Sequence, residues 1–196
     1  WVDPDAAVTA EVGMGRNAAD TGYVLEVNAV LGPGRLDDAR PLLRLCLDAG
    51  YELRIIEHMP LDADHTWDRG TMITAEQILA ELRREFTLTA HGEARGSAPA
   101  ERFTVDGGPA TVGVIASVTR PFCGDCDRVR LTADGQIRTC LFAADETDLK
   151  PLLRGGATDE EIADAWLAAM LGKQAGHGID DPSFLQPARP MSAIGG

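Results

Sequence analysis

The sequence predicts an α/β fold on three grounds. A β-rich run, a helical run and a second β-rich run follow one another between Tyr23 and Met59, about the length of one βαβ unit of a parallel sheet. Beyond residue 86 the texture changes to short β-rich runs near 87–91, 101–105 and 112–118, split by Gly, Ser and Pro, which reads as an antiparallel section. An apolar fraction of 44% can fill a core, and 21 glycines with 11 prolines supply many turns.

Residues 1–22 are weakly patterned and rich in Ala, Gly and Asp, and they read as a poorly ordered lead-in. Tyr23 to Leu31 is a strand by its β-branched content, broken by Gly32-Pro33-Gly34. Pro41 to Ala49 reads as a helix with Pro41 near its first turn and Gly50 as terminator. Leu53 to Met59 is the second strand, stopped by Pro60. Residues 61–72 form a polar loop containing Trp67. Thr74 with Gln77 makes a capping box for a helix running to about Phe86. Thr158 with Glu161 makes another, for a helix running to about Leu171. The expected organisation is a lead-in over 1–22, a βαβ-type part over 23–86 and a C-terminal domain over 87–196.

The net charge of −13 argues against a nucleic-acid partner, which calls for a broad basic face. No run of eighteen apolar residues exists to span a membrane, and no signal segment opens the chain, so a cytoplasmic location is expected. Two lysines, Lys150 and Lys173, stand against sixteen arginines, so a polyanionic ligand needs a local arginine cluster.

That cluster lies beside the cysteines. Cys123, Cys126 and Cys140 fall within eighteen residues in a Cys-x2-Cys-x13-Cys spacing, which in a reducing compartment favours metal over a disulfide. Asp134-Gly135 supplies a hairpin turn that brings the third cysteine back. A three-residue loop pairs Leu131 with Ile137 and Arg128 with Cys140. It sorts Val129, Leu131 and Ile137 onto one face, and Arg128, Arg130, Arg138 and Cys140 onto the other. A zinc site normally closes with four ligands, and Cys46, far upstream, reads as a small buried residue. Three thiolates instead suit an iron–sulfur cluster with one open iron. The spacing alone leaves iron–sulfur and zinc both open. Planar guanidinium forks beside such a centre suit phosphate or a purine edge, although alternating arginines on a strand are commonly a solvated face.

The run Phe122-Cys123 … Cys126-Asp127-Arg128-Val129-Arg130-Leu131-Thr132 … Asp134-Gly135 … Cys140-Leu141-Phe142 resembles the GTP 3′,8-cyclase family of molybdenum cofactor biosynthesis. Val27-Asn28-Ala29-Val30, Leu53 to Leu61 and the terminal Gly195-Gly196 resemble further segments of that radical S-adenosylmethionine family. The resemblance implies the last βαβ unit or units of a partial (β/α) barrel, followed by a mixed α+β domain carrying a three-cysteine cluster. It implies that Cys123, Cys126 and Cys140 hold a [4Fe–4S] cluster with an open iron, and that Arg128, Val129 and Arg130 hold GTP, the arginines in a catalytic role. Asn28, Arg54 and Met59 match positions on the S-adenosylmethionine side, and the tail Gly195-Gly196 reaches the active site. The implied reaction takes a hydrogen from the GTP ribose with a 5′-deoxyadenosyl radical. The sugar carbon then bonds to purine C8, giving (8S)-3′,8-cyclo-7,8-dihydroguanosine 5′-triphosphate. A homodimer is expected of the intact protein.

Two departures stand out. The family's N-terminal Cys-x3-Cys-x2-Cys motif is absent, so the chain reads as a C-terminal part, expected to be inactive without a missing N-terminal half or a second chain. Glu26 stands where the family usually has a lysine, and a carboxylate there would repel a triphosphate. Two rival readings are a zinc-stapled, non-catalytic interaction module and another radical S-adenosylmethionine protein with an auxiliary cluster. The arginine pair after the second cysteine argues against the latter.

Overall fold

A computed structural model describes residues 8–16, 23–92, 94–173, 178–179, 184 and 186–194. The chain forms two compact units. The first comprises residues 1–58 and 68–121, the second residues 59–67 and 122–196.

The first unit is a mixed sheet. Strands β1 (Val8–Arg16), β2 (Tyr23–Leu31), β3 (Glu52–Ile56), β4 (Leu88–Ala90), β5 (Glu101–Val105) and β6 (Thr111–Ile115) lie in the order β1-β2-β3-β6-β5-β4. β2, β3 and β6 run parallel, and the remaining pairs are antiparallel. The βαβ unit is present, with helix α1 (Ala39–Ala49) joining β2 to β3. Gly50 ends α1 in the left-handed region at φ 72°, where a side chain would be strained, and its N–H donates to the Leu47 carbonyl at 3.2 Å. Helix α2 (Ala75–Leu82) starts at the expected capping box: Thr74 Oγ1 accepts from the Gln77 N–H at 3.2 Å, and Gln77 Oε1 accepts from the Thr74 N–H at 2.8 Å.

Strand periodicity decides which face is which. Val27, Ala29 and Leu31 of β2, Leu53 and Ile55 of β3, and Val112 and Val114 of β6 are buried in one core with Leu43 and Cys46 of α1 and Ile78 and Leu82 of α2. Cys46 is the small buried residue expected, and burial pushes its thiol up. The alternate positions, Glu26, Asn28, Glu52, Arg54 and Thr111, make a polar set on the other sheet face.

Two expectations are corrected here. Val8–Arg16, read as lead-in, is a strand paired along its whole length with β2, from Val8↔Leu31 to Arg16↔Tyr23. Its Gly- and Ala-containing sequence has little β-propensity, and the open edge of β2 supplies the pairing. The boundary expected at 86/87 falls inside a sheet, because β6 inserts beside β3 and carries β5 and β4 with it; the division instead follows Pro121. β3 also stops at Ile56, short of Met59, and α2 stops at Leu82, short of Phe86.

Glu57 follows β3 and is fully buried. Its carboxylate accepts from the backbone N–H of Ala75 at 2.7 Å, of Val118 at 2.8 Å and of Thr119 at 2.8 Å, and from the Thr119 hydroxyl. One buried charge thus satisfies the first turn of α2 and the chain leaving β6. Glu57→Ala strands the two buried N–H donors of Ala75 and Val118 and a partly buried one of Thr119, and is expected to cost about 3–5 kcal/mol, at about 1–3 kcal/mol per stranded buried donor. Urea unfolding followed by circular dichroism checks it; a change below about 1 kcal/mol contradicts this role.

The second unit holds a three-stranded antiparallel sheet in the order β7-β8-β9, with β7 (Arg130–Leu131), β8 (Gln136–Arg138) and β9 (Thr147–Asp148). Helices α3 (Lys150–Gly155) and α4 (Asp159–Leu171) follow. α4 opens with the expected Thr158–Glu161 capping box, bonded at 3.3 and 2.8 Å. No helix among the described residues is long and apolar enough to cross a membrane.

Candidate metal centre

Hairpin β7–β8 carries the cysteine segment. Leu131 pairs with Ile137 and Arg130 with Arg138, the register expected from side-chain chemistry. Gly135 takes φ 80° at the turn and donates to the Thr132 carbonyl at 2.9 Å. The clean separation of faces does not occur. Ile137 is 1% exposed, but Leu131 opposite it is 55% exposed, because β7 is a two-residue edge strand while β8 is central. Arg138, expected on the ligand-holding face, is 3% exposed. It is committed to the Glu146 carboxylate and to the carbonyls of Leu141 at 3.2 Å and Ala143 at 2.6 Å.

The turn itself is anchored. Asp134 accepts two bonds from Arg189, at 3.1 and 2.8 Å, and one from the Thr132 hydroxyl at 2.5 Å. Arg189 and Thr132 hold its carboxyl well below the usual carboxylate range. A depressed carboxylate contributes stability above its unfolded pKa of about 3.9 and loses it as pH falls toward the folded value. Acid unfolding of the second unit is therefore expected to begin below about pH 5. Asp134→Asn is expected to flatten that dependence, and an unchanged acid transition by near-ultraviolet circular dichroism contradicts the anchor.

Cys123 opens a single 3-10 turn, Cys123–Asp125, and the Cys126 N–H returns to the Cys123 carbonyl at 3.3 Å. All three cysteines are half-buried, and none forms a disulfide. Arg128 donates from Nη1 to Cys126 Sγ at 3.6 Å, and its guanidinium carbon lies 5.1 Å from the centroid of the Phe122 ring. Burial pushes the Cys126 thiol up, but the Arg128 backbone N–H, the Lys173 ammonium and the Arg128 guanidinium outweigh it and hold it below the ordinary thiol value. Burial and the like charge of Arg128 lower the Arg130 pKa, with Arg138 adding to this, while Cys140 and Cys126 oppose it. Val129, between the two arginines, is half-buried.

The chemistry of these residues, thiols beside cationic side chains, suits a metal centre that carries negative charge. Among the described residues, no three His, Cys, Asp or Glu side chains are grouped so as to hold one metal ion. A lone zinc needs its sulfurs within about 2.3 Å of a common point.

In the first unit, Asn28 and Arg54 face each other in register on the polar sheet face. Arg54 is not free for an anion: its Nη2 meets Glu26 at 2.6 Å and its Nε meets Glu52 at 2.9 Å. Glu26 therefore serves as a counter-charge to Arg54. Burial pushes the Glu52 carboxyl up, but hydrogen bonds from Thr111 and Arg54 and the charges of Arg54 and Arg102 hold it below the usual range. Met59 is half-buried and belongs to the second unit. Gly195 and Gly196 lie outside the described residues.

Residues 51–179 match the family described as Molybdenum Cofactor Synthesis C. The chain belongs to this family. It is 65% identical over 173 residues to the GTP 3′,8-cyclase of Mycobacterium sp. (strain KMS), covering 88% of this chain and 49% of that protein. It is likewise 65% identical over 174 residues to the GTP 3′,8-cyclase of Streptomyces coelicolor, covering 88% and 51%. With GTP 3′,8-cyclase 2 of Mycobacterium tuberculosis the identity is 59% over 178 residues, covering 88% and 49%. The chain spans about half the length of the curated relatives it matches.

Within this molybdenum cofactor synthesis C chain, sequence reasoning missed Lys173, Phe122 as the partner of Arg128, and the Arg138–Glu146–Arg189–Asp134 chain of charges. Each depends on contacts no local pattern encodes. Gly113 was also passed over. A Cβ there would meet Arg54 Cγ and Ala100 Cβ, each at 3.0 Å, so the absent side chain leaves room for the Arg54 stem beside Ala100. Gly113→Ala is expected to destabilise by about 1–3 kcal/mol, read by thermal melting, and an unshifted melt contradicts that packing.

Proposed function

We propose that this chain is the cluster- and GTP-binding part of a GTP 3′,8-cyclase in molybdenum cofactor biosynthesis. Cys123, Cys126 and Cys140 hold a [4Fe–4S] cluster, which when bound supplies an open iron for a purine. One observation carries the reading: Arg128 donates to Cys126 Sγ at 3.6 Å, and half-buried Arg130, two residues on, pairs across the ladder with Arg138, so three guanidinium-bearing residues gather beside the cysteines. Such crowding of cations is relieved by a thiolate-bound cluster and a nucleotide together.

In this reading Arg130 and Arg128, with the backbone at Val129, orient GTP so that its ribose and C8 are held close, which is the positioning a cyclisation requires. The Phe122 ring, 5.1 Å from the Arg128 guanidinium carbon, restrains that side chain. Asn28 and Arg54 serve the S-adenosylmethionine side, with Glu26 and Glu52 fixing the Arg54 fork. Met59 and the Gly195-Gly196 tail complete the proposed set. The segment that cleaves S-adenosylmethionine comes from outside this chain, and the working enzyme is a homodimer in the cytoplasm. The names of the relatives, at 65% identity, support the assignment.

Anaerobic reconstitution with iron and sulfide is expected to give a brown protein with about four irons per chain, and Cys140→Ser to lose most of that iron. Arg130→Ala is expected to weaken GTP binding at least about tenfold by equilibrium dialysis, some 1.4 kcal/mol. A colourless protein holding one zinc, with GTP binding absent, overturns the reading in favour of a zinc-stapled module.

A further inference from the structure

The β7–β8 ladder ends at the Arg130–Arg138 pair, yet Cys126 and Cys140 both lie beyond that end. The two arms must still be held at a fixed spacing there. Lys173, two residues past α4, reaches the gap. Its ammonium donates to the Arg128 carbonyl at 2.8 Å and also to the Thr139 carbonyl. Arg128 lies two residues after Cys126, and Thr139 immediately precedes Cys140. One cation thus bonds to both arms just where the strand pairing has stopped.

The geometry points to Lys173 as a positioning residue for the three-cysteine centre, clamping the arms that carry Cys126 and Cys140. This rests on the iron–sulfur reading above. An ammonium offers three donors and no acceptor, so it can join two carbonyls without competing for a metal. A half-buried cation beside a cluster stabilises the added electron of the reduced state, so the clamp sets both shape and potential.

The test compares wild type, Lys173→Met and Lys173→Arg in the full chain. In the metal-free protein, hydrogen exchange at the amides of residues 126–141 is expected to speed at least tenfold in Lys173→Met and to return toward wild type in Lys173→Arg. After anaerobic reconstitution, Lys173→Met is expected to hold less than half the iron of wild type. The cluster that remains is expected to have a more negative midpoint potential and an altered electron paramagnetic resonance signal. Unchanged exchange with unchanged iron and potential overturns the clamp. Wild-type protein that takes up no iron, while the exchange difference persists, overturns the iron–sulfur reading and upholds the clamp. If Lys173→Met is recovered unfolded by circular dichroism, Lys173→Gln, which keeps a neutral donor, carries the same comparison.

Discussion

The buried carboxylate of Glu57 is the constraint around which the first unit is arranged. A parallel sheet must find partners for helix N-termini and for chain leaving its strands, since water does not reach them. Glu57 stands where β3 ends and meets both needs at once, taking N–H groups from the start of α2 and from Val118-Thr119 after β6. β3 and β6 are thereby fixed at their ends as well as along their ladder. The polar face of the sheet inherits that rigidity, and with it the fork formed by Arg54 between Glu26 and Glu52.

Local chemistry was legible in the sequence, and so was the register of one hairpin. Both capping boxes depend on four consecutive residues, and both formed. The Leu131–Ile137 pairing followed from turn length and side-chain type. Exposure was not legible in the same way. Leu131 looks like a core residue, but β7 lies at an edge and β8 at the centre, and sheet order is a long-range property. The same reason hides β1, whose weakly patterned residues are recruited by the edge of β2. It also hides the continuity of β6 with β3, since a change of texture along the chain need not mark a change of sheet.

Charge was legible as composition but not as placement. Arg128, Arg130 and Arg138 alternate along the hairpin arms, yet they do different things. Arg138 is spent on Glu146 and two carbonyls, Arg128 lies against Phe122 and Cys126, and Arg130 remains crowded by both. Glu26, an oddity when read beside the expected lysine, proves to be the complement of Arg54. Most of the described arginines meet a carboxylate, and Arg128 beside the cysteines meets a sulfur and an aromatic ring.

The shortness of β7 and β8 bears on how the protein matures. A two-residue strand facing a three-residue strand holds few backbone bonds, and its bracing comes from Lys173 and Arg189, which lie later in the chain. During synthesis the cysteine arms emerge well before either brace, at a time when the ribosome still conceals the residues that would still them. The two cysteine arms therefore settle only once residues 173 and 189 have joined them.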